Sequence, residues 1–187
     1  MDLTVQRLIK QIKKGDQQAF AEIVELYQDR IFQLCYRMLG NRHEAEDVAQ
    51  EAFVRAYMNI DRFDVDKKFS TWLFRIATNL TIDHLRKKRP DHYLDAELTG
   101  TDGVTLYSYL AADEKLPEDT LLENELQQTV QKEIQSLPPK YRSAIILKYM
   151  QDLSLKEISE ILELPIATVK TRIHRGREAL RKRLCKL

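Results

Sequence analysis

Residues 153–184, LSLKEISEILELPIATVKTRIHRGREALRKRL, contain two short amphipathic helical patterns that meet at a tight corner. Ser154 and Glu157 have the spacing of a capping box, which predicts that the first helix begins there. Pro165 lies where the second helix would begin, because proline is tolerated in a first helical turn but not in a helix interior. Together the two patterns predict a helix-turn-helix near the carboxyl end of the chain.

The second helix of this unit is predicted to be apolar on one face and basic on the other. The apolar face repeats at helical spacing through Ile166, Val169, Ile173 and Leu180. The opposite face and its flanks contain hydroxyl and basic side chains: Thr168, Lys170, Thr171, Arg172, His174, Arg175 and Lys182. Small hydroxyl groups among cations suit a helix that reads base edges in the major groove of duplex DNA. We therefore expect this face to bind DNA.

Basic amphipathic helices also occur as solvated surface helices, calmodulin-type targets or membrane-surface segments. The apolar face here has medium-sized aliphatic residues and no Trp or Phe, which argues against a membrane surface. A capped helix precedes it at the distance that a helix-turn-helix requires. This arrangement favours DNA binding over an ordinary solvated surface helix. Gly176 costs about 1 kcal/mol relative to Ala in a helix interior, so we expect another helix to approach closely at that position.

The composition of the whole chain indicates an all-helical protein. Its 187 residues allow one domain or two small ones, and its five glycines and five prolines are few. No alternating strand pattern persists. The amino-terminal MDLTVQRLIK has no signal-peptide hydrophobic region, and no apolar run is long enough to span a bilayer, so we expect a cytoplasmic protein without direct membrane insertion. Cys35 and Cys185 are far apart in sequence and are interpreted as ordinary thiols.

Two helices are predicted in the amino-terminal part of the chain. Residues 16–38 have one broad apolar face, and Asn41 with Glu44 forms a second capping signal. The helix that follows, 43–60, is expected to bury its alanines together with Val48, Phe53 and Tyr57. Its other face displays Asp47, Gln50 and Glu51 beside an exposed Val54. This face is either an ordinary solvated surface or a docking surface for a basic partner.

A polar loop at 61–69 precedes a long helix that is predicted from Ser70 to Arg89. Four aromatic residues alternate here with cations: Phe63, Phe69, Trp72 and Phe74 with Arg62, Lys67, Lys68 and Arg75. Aromatic surfaces beside cations suit unpaired DNA, at about 1–3 kcal/mol per stacked base. The basic run 86–89 has a simpler explanation as well, since cations stabilise the negative end of a helix dipole.

Composition changes at 91–117, where acidic residues dominate and glycines interrupt any helix, and we interpret this stretch as a flexible acidic linker. Fully extended, it reaches about 90 Å at about 3.3 Å per residue. A second helical unit follows, with an apolar repeat up to Leu137, a helix at 141–150 and the helix-turn-helix. The chain is therefore predicted to be all-α, with two small helical domains at 1–90 and 118–187.

Four ordered motifs give the chain a specific resemblance to the extracytoplasmic-function sigma factors of RNA polymerase. They are YRMLGNRHEAEDVAQEAFVRAY at 36–57, FSTWLFRIATNLTIDHLRKKR at 69–89, LPPKYRSAIILKY at 137–149 and LSLKEISEILELPIATVKTRIHRGREAL at 153–180. The resemblance covers nearly the full length. It implies that 1–90 is a region 2 domain for polymerase docking and for minus-ten recognition and melting. It also implies that 118–187 is a region 4 domain for minus-thirty-five recognition.

The resemblance also implies roles for individual residues. The polymerase-binding residues would be Asp47, Gln50, Glu51 and Val54. The minus-ten element would be bound by Phe63, Lys67, Lys68, Phe69, Trp72, Asn79, Asp83 and Arg86. The minus-thirty-five element would be bound as duplex by Thr168, Lys170, Thr171, Arg172, His174 and Arg175.

Partners are likewise implied by the resemblance. They would be promoter DNA, core RNA polymerase through its largest-subunit clamp helices and its flap, and a membrane-anchored anti-sigma factor released under envelope stress. Neither a cofactor, nor a metal, nor a small-molecule substrate is expected. The protein would be a non-enzymatic alternative sigma factor.

Two other classes of function compete with this one. A stand-alone regulator could use the helix-turn-helix and keep the amino-terminal unit for dimerisation; it would bind duplex DNA tightly without polymerase. An enzyme has little support, because the sequence contains no phosphate-cradling glycine loop, no metal-spaced Cys/His set and no nucleophile motif.

Overall fold

The computed structural model describes the backbone of residues 3–88 and 121–185, and the side chains of those ranges except 121–127. Over these ranges the chain forms α-helices and one short 3-10 helix, and no strand is present in them, which confirms the all-α prediction. The helices are α1 (Leu3–Ile12), α2 (Gln17–Leu39), α3 (Arg42–Met58), α4 (Phe69–Lys88), α5 (Leu121–Gln135), α6 (Pro139–Tyr149), α7 (Leu155–Leu162) and α8 (Ile166–Leu184). The predicted linker at 91–117 lies outside the described residues.

Side-chain caps fix the turns of the amino-terminal unit, α1–α4. The Asp16 carboxylate accepts the backbone N–H groups of Gln18 and Ala19 at the start of α2. Gly40 ends α2 in the left-handed region at φ 76°, which glycine adopts without strain. The Asn41 side chain then accepts the Glu44 N–H at 3.0 Å, which confirms the second predicted cap.

Helices α2, α3 and α4 enclose the core of this unit, and α1 covers one side of it. Helix α1 was not predicted; it buries Val5, Leu8, Ile9 and Ile12. Just after it, the Lys13 Nζ donates hydrogen bonds to the carbonyl oxygens of Phe63 at 2.6 Å and Asp61 at 3.2 Å. The first helix therefore holds the loop that follows α3.

The prediction that Tyr57 is buried was wrong. Its side chain is 40% exposed, and its ring lies 4.8 Å from that of Phe20 at the edge of the unit. The predicted alanines of α3 are buried as expected, together with Val48 and Phe53. Tyr57 directly follows Ala56 and lies at the border of the buried face of α3. At this border the phenol ring can pack while its hydroxyl group stays in water.

The carboxyl-terminal unit, α5–α8, contains the predicted helix-turn-helix. The Ser154 hydroxyl accepts the Glu157 N–H, and the Glu157 carboxylate accepts the Ser154 N–H at 2.9 Å, so the capping box is complete. Helix α8 begins at Ile166, directly after Pro165. Helix α6 packs under α8, as expected.

Gly176 lies where α8 crosses α6. A Cβ atom at this position would be 2.7 Å from Ile145 Cγ1 and 3.5 Å from Tyr141 Cβ. Because real Cβ atoms almost never approach other heavy atoms that closely, only glycine allows this crossing without a shift. The expected close approach of another helix is confirmed.

The two units pack against each other through α2 with α5 and α6, and through α4 with α7. The buried Arg142 guanidinium donates to the carbonyl oxygens of Met38, at 2.5 Å, and of Leu137, at 3.0 Å. Gln131 and Arg37 exchange two hydrogen bonds, at 2.8 and 3.2 Å. These polar contacts stand beside one hydrophobic core that contains buried residues of both units.

We expect Gly176→Ala to lower the free energy of unfolding by about 1 kcal/mol. Overpacking a tight contact costs about 1–3 kcal/mol, and the better helix propensity of alanine offsets about 1 kcal/mol of that. Urea unfolding measures the difference. The matched control is Arg177→Ala, because Arg177 is exposed on the same helix. If both variants were stabilised equally, the close contact at 176 would be disproved.

Candidate nucleic-acid interface

Helix α8 presents one exposed face of basic and polar side chains. Lys170, Thr171, His174 and Arg175 are all exposed there. Val169 and Ile173 are buried on the opposite side of the helix. The packing of α8, and not the charge of its side chains, therefore determines which face is exposed. The basic face is therefore exposed as predicted. The predicted apolar face is buried only at Val169 and Ile173, because Leu180 is half-buried and Ile166, the first residue of the helix, is 43% exposed.

Two of the predicted duplex-reading residues lie at the border of that face. Thr168 is half-buried. Arg172 is also half-buried, toward α6, because it lies one residue before the buried Ile173. Burial lowers the pKa of the Arg172 guanidinium, and the neighbouring Tyr141 opposes this effect. Arg172 is thus less accessible to a duplex than the sequence pattern suggested.

A cleft of about 310 Å³ lies between the end of α3 and the first half of α4. Its lining combines two guanidinium groups, two amides, an aromatic ring and an aliphatic side chain: Arg55, Arg75, Asn59, Asn79, Trp72 and Ile76. Asn79 and Arg75 are exposed, and Trp72 is half-buried. Such a lining offers a stacking surface, hydrogen-bond donors and acceptors, and positive charge within one small space.

Three of the four aromatic residues predicted to offer stacking surfaces lie in the core instead, and one of them, Phe74, is fully buried. Phe63 and Phe69 are 4% and 3% exposed, and their ring centroids are 5.4 Å apart. The Trp72 ring lies 4.9 Å from Phe63 and 5.6 Å from Phe69. In this structure the two phenylalanines therefore support Trp72 from behind and have no face open to a base.

The other predicted minus-ten residues lie on the surface, but some of them already form ion pairs with other side chains. Lys67 and Arg86 are exposed, and Arg86 pairs with Asp83 at 2.9 Å. Lys68 pairs with Glu157, the capping residue of α7. Burial opposes ionisation of Glu157, but hydrogen bonds from Lys68 and Ser154 outweigh it and lower the Glu157 pKa to about 2.

Four residues of α3 were predicted to bind polymerase, and they share one exposed face. Asp47, Gln50, Glu51 and Val54 follow each other at helical spacing, and Val54 is 56% exposed. Met58, one turn further on, is 75% exposed and extends the apolar end of this face. Met58 was not among the predicted residues, although it follows Val54 by four residues.

Arg55 and Asn59 were also missed as cleft residues. The sequence pattern of α3 indicated only its acidic face, whereas these two side chains line the cleft toward α4. Their spacing of four residues just before the aromatic loop was the available signal. Within residues 3–88 and 121–185, no cluster of His, Cys, Asp or Glu is placed to hold a metal ion. Over the same ranges, every helix is too short or too polar to cross a bilayer.

Comparison with known proteins identifies related chains along nearly the whole length. The sigma-70 region 2 family matches residues 23–90, and the sigma-70 region 4 family matches residues 127–180. The ECF RNA polymerase sigma factor SigW of Bacillus subtilis is 65% identical, over 98% of this chain and 98% of its own length. The ECF sigma-E factor of Escherichia coli K12 is 38% identical, over 95% of this chain and 93% of its own length.

Two solved structures have the same fold. CnrH, in complex with the cytosolic domain of CnrY, matches with a TM-score of 0.72 and 24% identity over 98% of both chains. The sigma factor RpoE of Bartonella quintana, in complex with the anti-sigma factor NepR, matches with a TM-score of 0.64 and 22% identity. That match covers 88% of this chain and 96% of the other.

We expect the stabilising effect of Glu157 to disappear in acid. Because its folded-state pKa is about 2, below the usual value of 4.5, its contribution is complete above about pH 4.5 and is lost as the pH falls toward 2. Glu157→Gln keeps a capping side chain without the charge. Relative to this variant, the wild type should be more stable by about 1 kcal/mol at pH 7, after allowance for solvent screening, and equal near pH 2. A difference in unfolding free energy that does not change with pH would contradict this, and Glu160→Gln serves as the exposed control.

Proposed function

The chain belongs to the extracytoplasmic-function sigma factors of RNA polymerase, which direct core enzyme to specific promoters, and from that premise we propose how its surfaces divide the task. As a transcription initiation factor, it acts by binding rather than by converting a substrate. We assign polymerase docking, minus-ten recognition and melting to residues 1–90, and minus-thirty-five recognition to 118–187. The observation that carries this assignment is the exposed cationic face of α8 directly after a fully capped helix-turn.

The minus-thirty-five element is read by α8 in the major groove. Lys170, Thr171, His174 and Arg175 are the exposed side chains that reach base edges and flanking phosphates. Thr168 and Arg172 lie at the border of the face and contribute through the adjacent backbone phosphates. The buried crossing of α8 over α6 keeps the reading helix rigid while it docks.

The minus-ten element is captured as unpaired DNA at the cleft between α3 and α4. Trp72 provides the stacking surface, Asn79 provides an amide for base hydrogen bonds, and Arg55 and Arg75 neutralise phosphates. Lys67 and Lys68 extend the positive surface just before α4, and Arg86 extends it near the end of α4. Asp83 orients Arg86 through their ion pair. Phe63 and Phe69 act indirectly, by supporting Trp72.

Core polymerase docks on the exposed face of α3. Asp47 and Glu51 give that face its negative charge, Gln50 lies between them, and Val54 provides an apolar contact. This composition suits the basic surface of a coiled coil such as the clamp helices of the largest subunit. Region 4 makes the second contact, with the flap.

We also propose that an anti-sigma factor controls the protein in the cytoplasm. RpoE of Bartonella quintana was solved with such an inhibitor, which supports the same kind of partner for this chain. Anchoring of that inhibitor in the membrane, and its release under envelope stress, follow from the family resemblance.

We expect Arg175→Ala to reduce promoter-specific run-off transcription by roughly 5- to 150-fold. This range corresponds to the loss of one bidentate base contact, about 1–3 kcal/mol. Binding to core polymerase should be unchanged. Arg177→Ala is the control, because it removes an exposed arginine from α8 outside the proposed reading face. Equal loss of transcription and of polymerase affinity with Arg175→Ala would refute the assignment.

We expect Asp47→Arg to abolish holoenzyme formation, with at least about a 100-fold loss of affinity for core polymerase, because a like charge at a docking surface costs several kcal/mol. Thermal unfolding should stay close to that of the wild type, since the side chain is exposed. Glu22→Arg makes the same charge change on the exposed surface of α2. Normal polymerase affinity of the Asp47 variant in a fluorescence binding assay would remove this docking surface from the proposal.

A further inference from the structure

The loop between α3 and α4 is held by side chains from the amino end of the chain. The Lys13 Nζ donates to the carbonyl oxygens of Phe63 at 2.6 Å and Asp61 at 3.2 Å. The Gln6 Nε2 lies 3.5 Å from the Val65 carbonyl oxygen, which gives the same loop a weaker third contact. The backbone of this loop is therefore fastened to α1 and to the turn that follows it.

A lysine ammonium group suits this position. Residues Ile60–Arg62 form a 3-10 helix, and Phe63 follows as its carboxyl-terminal cap. Carbonyl groups at the end of a helix have no partner within it, so they need a donor from elsewhere. The ammonium group of Lys13 has three N–H donors, and its charge makes each hydrogen bond stronger than a neutral one. Because Lys13 is half-buried, solvent screens these bonds less than it would screen those of an exposed lysine.

The same loop shapes the cleft proposed for unpaired DNA at two points. Asn59, just before the 3-10 helix, lines the cleft directly. The Phe63 ring, just after that helix, lies 4.9 Å behind the ring of Trp72, which also lines the cleft. The two hydrogen bonds from Lys13 act on the segment between Asn59 and Trp72. A shift of this segment would therefore move the ring that supports the stacking surface.

We propose that Lys13 is a positioning residue for minus-ten capture, because its ammonium group holds the loop so that the Trp72 ring is presented to an unpaired base. Lys13 does not line the cleft itself, so it acts through Phe63 and Trp72 and not by contact with the base. This inference rests on the proposed function, since it takes the cleft between α3 and α4 as the site of minus-ten capture. It adds the end of α1 to the groups that prepare the protein for single-stranded DNA.

The position of the stacking surface can be measured directly, because Trp72 is the single tryptophan of the chain. Lys13→Met removes the donors and keeps an unbranched side chain. In the full chain it should shift the Trp72 emission to longer wavelength and increase its quenching by acrylamide, because the ring loses its support. Lys13→Arg keeps charged donors and should restore the wild-type spectrum. The matched control is Lys14→Met, which makes the same change at the next residue, an exposed lysine.

The functional readout uses holoenzyme assembled from core polymerase and each full-chain variant. Fluorescence anisotropy measures binding to a labelled fork of a promoter that the wild type transcribes, with the minus-ten element single-stranded. Lys13→Met should weaken this binding about fivefold, the lower end of what one stacked base contributes. Lys13→Arg should restore it, and Lys14→Met should bind like the wild type. Affinity for core polymerase, and for a duplex with only the minus-thirty-five element, should stay unchanged, whereas a general loss of folding would lower both.

The inference is overturned if Lys13→Met leaves the Trp72 emission unchanged, or if it binds the fork as well as Lys14→Met does. It is also overturned if core and duplex binding fall as much as fork binding. Trp72→Ala separates this inference from the proposed function, and it should weaken fork binding by about 5- to 150-fold. An unchanged affinity of Trp72→Ala would refute the cleft as the capture site. If Trp72→Ala weakens fork binding and Lys13→Met does not, only the role of Lys13 fails.

Discussion

A single buried guanidinium, that of Arg142, joins the ends of two helices from different halves of the chain. It donates to the Met38 carbonyl in the last turn of α2 and to the Gln135 and Leu137 carbonyls where α5 ends. The last carbonyls of a helix have no partner within it, and a cation at that end also complements the helix dipole. Arg142 satisfies both needs at once. Because Arg142 belongs to α6, these bonds tie α6 to the end of α2 and to the end of α5.

The local signals of the chain predicted much of this fold. The capping box at Ser154, the cap at Asn41, Pro165 before α8 and the close approach at Gly176 are each confirmed, because the chemistry of each acts within a few residues or at one contact. Helix α1 was missed although Val5, Leu8, Ile9 and Ile12 have helical spacing.

The candidate site was less predictable, for reasons of tertiary packing. Phe63 lies in a loop without periodicity and Phe69 is the first residue of α4, so only the assembled structure shows that both rings are buried. The partners of Lys68 and Arg75 lie 89 and 88 residues away, and no local pattern connects them. By contrast, the exposed faces of α3 and α8 follow from helical periodicity, and their residues were predicted nearly completely.

Hydrogen bonds from Lys13 connect the amino end of the chain to the loop that follows α3. Because the Nζ group holds the carbonyls of Asp61 and Phe63, the loop beneath Trp72 takes its position from a residue 50 places earlier. Truncations or affinity tags that loosen the first dozen residues would thus change the position of the Trp72 ring, although these residues lie far from Trp72 in sequence. Expression clones intended for DNA measurements should leave that end native.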